Sequence, residues 1–200
     1  MAINFQYNKT AQQTLEKQLK VRERALPTLK NKESALRMEV KRAKDRSQEL
    51  DSLMAEKLVQ YDDMVQLWGE FDTNLVRVKD VTLSVKKIAG VRTPVLEGIE
   101  FDTAPFSLTT SPVWVPAGIA IISELAKTGI EKEVFRQKMM LLDFARKKTT
   151  QKVNLYEKVQ IPGYQDAILK IKRFLEDEEN LSKSAQKIVK NRQQQMEEAS

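Results

Sequence analysis

The sequence predicts a mainly α-helical fold: a long antiparallel two-helix coiled coil with a small β-hairpin and a short helix inserted between the two arms. Three observations carry this reading. Apolar residues recur every three to four positions over some sixty residues, which is helical spacing. Glycine and proline crowd into the middle, where Val76 to Gly129 holds four of the six of each. Charged residues make up 31% of the 200 residues and aromatics only 6%, a composition lean in sheet formers and rich in residues that cover exposed helices.

The first arm, residues 1–75, shows the seam most clearly. Alternating steps of four and three from Leu15 land on Leu19, Arg22, Leu26, Leu29, Glu33, Leu36, Val40, Ala43, Ser47, Leu50, Met54, Lys57, Tyr61, Met64, Trp68 and Phe71. Thirteen of these seventeen positions are apolar, where a 41% apolar content predicts about seven. A period of 3.5 residues held over some eight heptads marks a coiled-coil seam.

The insert, residues 76–130, changes period. Val81, Leu83 and Val85 alternate with Thr82, Ser84 and Lys86, and after Ala89-Gly90 the stretch Val91–Phe101 is again β-prone. A two-stranded hairpin is expected, packed on a helix or a partner because a lone hairpin is marginal in water. Thr103–Pro116 reads as a loop. Pro116 is placed to open a short helix through Ala126, which Gly129 is expected to end.

The second arm, residues 131–200, repeats the seam. Leu142, Ala145, Thr149, Val153 and Tyr156 form a weak stripe; after Pro162 it continues through Ile168, Ile171, Leu175, Glu178, Ser182, Ala185 and Val189. About 60 helical residues span roughly 90 Å, against a radius of gyration of about 16–17 Å for a compact chain of this length, so the arms are expected to project as an antiparallel hairpin. Charge suggests a register in which paired residue numbers sum to about 200. Acidic Ser47–Trp68 then faces basic Lys132–Val153, and basic Lys17–Arg46 faces mildly acidic Asn154–Lys183. Pro27 and Pro162 fall near one level in that register, so both helices are disturbed there.

Composition also excludes chemistry. Without His or Cys there are no thiolate or imidazole zinc sites, no His-based triads and no disulfides. The glycines lie too far apart for a phosphate-binding loop. The carboxylates Asp62-Asp63 and Glu176 to Glu179 read as solvated helix faces, because adjacent helical carboxylates point apart. No catalytic residue, cofactor or metal is expected. The chain carries 34 Lys+Arg against 28 Asp+Glu, net +6, but no aromatic residue lies between Tyr7 and Tyr61 to stack on bases, so nucleic acid is not an expected partner. A stand-alone basic coiled-coil binding module, for nucleic acid or for tethering, is the alternative reading. The opening MAINFQYNKT has no apolar signal region, and the longest apolar run, Val113 to Ile122, is about ten residues against the roughly 20 of a membrane span.

Four passages are more specific than periodicity: Ala25-Leu26-Pro27-Thr28-Leu29-Lys30-Asn31-Lys32-Glu33-Ser34-Ala35-Leu36, Thr150-Gln151-Lys152-Val153-Asn154-Leu155-Tyr156-Glu157-Lys158-Val159-Gln160-Ile161-Pro162, Ile88-Ala89-Gly90-Val91-Arg92-Thr93-Pro94-Val95, and Ser111-Pro112-Val113-Trp114-Val115. In this combination the chain resembles the D subunits of V-type rotary ATPases over nearly its whole length. The resemblance implies a non-catalytic rotor shaft that carries torque between the catalytic A and B subunits and a membrane ion-translocating ring, with the F and C (d-type) subunits as further partners. It implies a cytoplasmic location, peripheral to the membrane. It places Pro27, Leu29, Lys30, Lys32, Glu33, Gln151, Lys152, Asn154 and Glu157 on the surface facing the catalytic head. Val81, Leu83, Val95, Ile99 and Trp114 are placed toward F or the membrane-side partner.

Overall fold

A computed structural model describes residues 4–62, 65–107 and 111–198. Helix α1 spans Lys9–Gln60 and the short α2 Val65–Trp68; strands β1 (Val76–Ile88) and β2 (Val91–Thr103) follow. Helix α3 spans Val115–Leu155, a π-helical segment covers Tyr156–Gln160, and α4 runs Ile161–Glu198. The fold is therefore mainly α with a small antiparallel hairpin, as expected. Its backbone groups into two units, residues 1–31 with 149–200, and residues 32–148.

The α1 seam is real. Every described position in the stepping series from Leu15 to Phe71 is buried or half-buried, polar Arg22, Glu33 and Lys57 included. Met64, also in the series, and Asp63 lie outside the described residues.

In the first unit, Asn8 opens α1 by accepting the Ala11 backbone N–H on its Oδ1 at 2.6 Å, which satisfies one of the unpaired first-turn donors. The core consists of Leu15, Tyr164, Ala167 and Ile171, flanked by Phe5, Leu19, Ile168 and Leu175. Arg22 meets Gln160 and Lys30 meets Glu157, so α1 pairs antiparallel with the returning chain. Past Leu175 the described side chains of α4 are all exposed. The expected continuation of the seam through Glu178, Ser182, Ala185 and Val189 does not occur, because α4 runs on beyond the level at which Phe174 meets Tyr7 and α1 begins.

In the second unit, α1 contributes buried Leu36, Ala43 and Leu50, and α3 contributes Val115, Val134 and Leu142. Arg46–Glu131 and Lys57–Glu124 join the two helices, again antiparallel. In each unit the cross-helix pairs sum to roughly 180, not the expected 200. The cause is α3. Gly129 does not end a helix; it lies inside α3, which already begins at Val115. The expected short helix and the second arm are thus one element. A mid-helix glycine costs only about 1 kcal/mol, and the site is not crowded: the Met54 methyl would stand in ordinary contact, 3.9 Å, with a Cβ placed there.

The strands pair from Val76↔Thr103 to Ile88↔Val91, with irregularities between Val78 and Asp80 and between Thr82 and Leu83. The expected turn at Ala89-Gly90 has both residues at positive φ, 47° and 84°, the geometry a two-residue hairpin turn needs. β2 is the inner strand. Thr93 is fully buried, and its hydroxyl donates to the Lys86 carbonyl at 2.9 Å. β1 is the outer strand and leaves Val78, Leu83 and Val85 exposed.

Alanine suffers a steric cost in the left-handed region that asparagine largely avoids. Ala89→Asn is therefore expected to stabilise the protein by about 1 kcal/mol. Denaturant unfolding that shows no gain would contradict the turn geometry.

Candidate functional site

The residues singled out on the α-helical arms divide between the units. In the first, Pro27 and Lys30 on α1, Gln151, Lys152 and Asn154 on α3, and Glu157 in the π segment are exposed, while Leu29 is half-buried in the seam. The structure joins two of them directly: Lys30 Nζ lies 2.6 Å from Glu157 Oε1. Lys152 sits over the Tyr156 ring at 5.9 Å. Nearby, Arg22 donates to Gln160 Oε1 at 2.7 Å and stacks over Tyr164 at 4.6 Å.

Lys32 and Glu33 belong to the second unit. Glu33 is half-buried and pairs with Arg37 at 2.8 Å. Lys32 is exposed, and its ammonium lies 3.5 Å from where a Cβ on Gly90 would stand. The hairpin therefore folds back so that its tip reaches α1.

Of the hairpin-side residues, Val95 and Ile99 line a groove of about 750 Å³ between β2 and α3, whose other wall includes Lys127, Val134, Phe135 and Lys138. Val81 is half-buried and Leu83 exposed. Trp114 packs edge-on against Trp68, with ring centroids 5.9 Å apart, and lies equally close to Phe71. Gly118 lies beneath this cluster; a Cβ there would meet the Phe71 and Trp114 rings at 3.1 Å. Trp114 is thus half-buried packing, with only part of its surface free.

Sequence reasoning took Val189 for a packed seam position and did not single out the exposed apolar residues around it. Along α4, Leu181, Ile188, Val189 and Met196 are 72%, 55%, 56% and 74% exposed. Leu181, Ala185 and Ile188 follow a four-then-three step that sets them on one helix face. That step was the available signal; it shares Ala185 with the Leu175–Glu178–Ser182–Ala185–Val189 series that the seam extrapolates, while Leu181 and Ile188 each lie one position before a member of that series.

The electrostatics are those of ion pairing. Asp143 titrates below the ordinary aspartate range because Arg146, and then Lys147, hydrogen-bond its carboxylate. Glu133 is lowered first by Arg136 and Glu179 first by Lys183, while Arg46 is raised first by Glu131. Each shift favours the charged form, opposite to what a group poised for proton transfer near neutrality needs. Among the described residues no cluster of three acidic side chains is placed to hold a metal ion, and no helix is long and apolar enough to cross a membrane.

Residues 11–191 match the family described as ATP synthase D subunit. The chain is 32% identical over 178 residues to the Borreliella burgdorferi V-type ATP synthase D subunit, with 87% of each chain covered. To its Chlamydia muridarum counterpart it is 30% identical over 187 residues, covering 86% of this chain and 88% of the relative. Against the Chlamydia caviae protein of the same description it is 28% identical over 180 residues, covering 88% and 86%.

Two outcomes are expected from these contacts. A Lys30→Ala, Glu157→Ala double-mutant cycle should return a coupling of no more than about 1 kcal/mol, as for exposed ion pairs; a coupling of several kcal/mol would mean the pair is structural. Asp143 has a folded-state pKa below its unfolded value, so its contribution to stability is complete above the ordinary aspartate range and is lost as pH falls through the depressed value. Thermal melts between pH 5 and pH 2 should show Asp143→Asn losing less stability than the parent chain.

Proposed function

The chain belongs to the family of ATP synthase D subunits, and from that footing we propose that it is the central-stalk rotor shaft of a V-type ATPase or ATP synthase, passing torque between the catalytic A/B hexamer and the membrane ion-translocating ring. The observation that carries this reading is the pairing itself: helices of 52, 41 and 38 residues joined along a narrow apolar seam, with no built reaction centre among the described residues. A packed seam lets two helices share a twisting load. The remaining surface is dominated by charged side chains, whose contacts form and exchange more readily than those of a broad apolar patch.

Within this role the chain does no bond-making. The first unit, which holds both chain ends, enters the catalytic head. The stretch of α4 beyond Leu175 presents Leu181 and Ile188 to it, and Pro27, Lys30, Gln151, Lys152, Asn154 and Glu157 form the outward face, with Lys32 and Glu33 next along α1. The hairpin side, including Val81, Leu83, Val95, Ile99 and the free part of Trp114, serves the F and C (d-type) subunits. Attachment to the membrane is indirect, through the ring, from the cytoplasmic side. A shaft biases three equivalent catalytic sites only if its faces differ, and the two prolines at one level of the helix pair supply one such difference.

The test is assembly. Co-expressed with A, B and F subunits, the chain should purify in a central position and restore coupled ATP turnover. Leu181→Lys with Ile188→Lys should leave the stability of the isolated chain within about 0.5 kcal/mol, since both side chains are exposed, and should lower affinity for the A/B hexamer at least tenfold. Wild-type affinity in that variant would overturn the placement of α4.

A further inference from the structure

Three independent features of the first unit coincide at one level of the helix pair. The first is in the returning chain. Pro162 has no N–H to give to the carbonyl of Lys158, four residues earlier. The helix widens just before it: Tyr156–Gln160 is π-helical, and the Ile161 N–H donates to the Tyr156 carbonyl, five residues back. The second is on α1, where Pro27 lies inside the helix and withholds the N–H that the Glu23 carbonyl would receive. The pairs Arg22–Gln160 and Lys30–Glu157 bracket Pro27 on one side and involve the π segment on the other, so both interrupted ladders sit side by side. The third is packing. Between Leu15 and Leu36 the seam residues of α1, Leu26 and Leu29 among them, are only half-buried, and so are Tyr156, Gln160 and Ile161 between Val153 and Tyr164 on the returning chain.

Polar contacts supplement the half-buried apolar seam here. Arg22 lies over the Tyr164 ring at 4.6 Å and the Tyr156 ring at 5.9 Å, and Lys30 reaches Glu157 through a flexible side chain. Long polar side chains can follow a change in helix separation or twist that close-packed core residues resist.

We propose that this level is a compliant joint of the helix pair, where it bends and twists before the packed seam on either side gives way. π turns inside α-helices recur at functional sites, and two weakened hydrogen-bond ladders at one level soften both helices together. That the joint is loaded during turnover rests on the shaft reading; its softness does not.

Amide hydrogen exchange on the full isolated chain measures the softness directly. Segments 23–30 and 156–162 should exchange at least tenfold faster than segments 11–19 and 164–175. Equal protection would overturn the proposal without touching the shaft reading, which stands or falls on assembly with the A/B hexamer. Pro27→Ala with Pro162→Ala, which restores both donors, should slow exchange at least tenfold in 23–30 and 156–162 and leave the flanking segments unchanged. Unaltered exchange in this variant would show that the interrupted ladders are not the source of any softness, and would equally end the proposal.

Discussion

In each unit almost everything depends on a narrow stripe of buried apolar side chains where α1 meets its returning partner. A helix pair offers no third layer to close a core. Among the described residues the fully buried side chains are accordingly few: Leu36, Leu50, Leu142 and Ile171 among the large ones, with Thr93 on β2. Removing one such Leu or Ile costs about 2–5 kcal/mol, whereas an exposed ion pair contributes about 0–1 kcal/mol. The stripe holds the helices together; the exposed charges add little to that.

The same economy shapes the surfaces available to partners. Where α4 outruns α1, apolar side chains that would complete a seam are left facing outward at Leu181 and Ile188. Where the insert folds back, β2 takes the inner position and β1 the outer, so that Thr93 is sealed while Val85 is exposed. The aromatic trio Trp68, Phe71 and Trp114 closes the turn between the arms by a different means, stacking large rings over Gly118, which has no side chain to displace them. Each feature follows from having one packed line and many unpaired faces.

Much of this was legible in the chain. The alternating four-and-three step located the α1 seam to the residue, since a side chain's face on a helix depends on its position in the sequence and little else. The hairpin was legible from its period of two and from Ala89-Gly90. The candidate contact residues were legible only as motifs. Nothing in Lys30 or Glu157 alone says that they meet, and nothing in Lys32 says that a hairpin tip lies beside it. The end of the second-arm seam was misjudged at Leu175 because the period persists in the sequence after the partner helix has stopped.

By itself, then, the sequence determined which residues face inward along each element, that the elements are long helices around a short sheet, and that nucleophilic or metal chemistry based on His and Cys is absent. Those are local properties, written in spacing and residue type. Tertiary structure decided the register near 180, the continuity of α3 through Gly129, the inner position of β2 and the meeting of two interrupted helices at Pro27 and the π segment. A heptad pattern matches its partner almost equally well when slid by one repeat, so register is chosen by the length and folding of the insert and by the side chains that meet across the pair. Glycine in a helix costs so little, about 1 kcal/mol, that α3 continues through it. Such outcomes are small differences between competing contacts, and they exist only once both partners are in place.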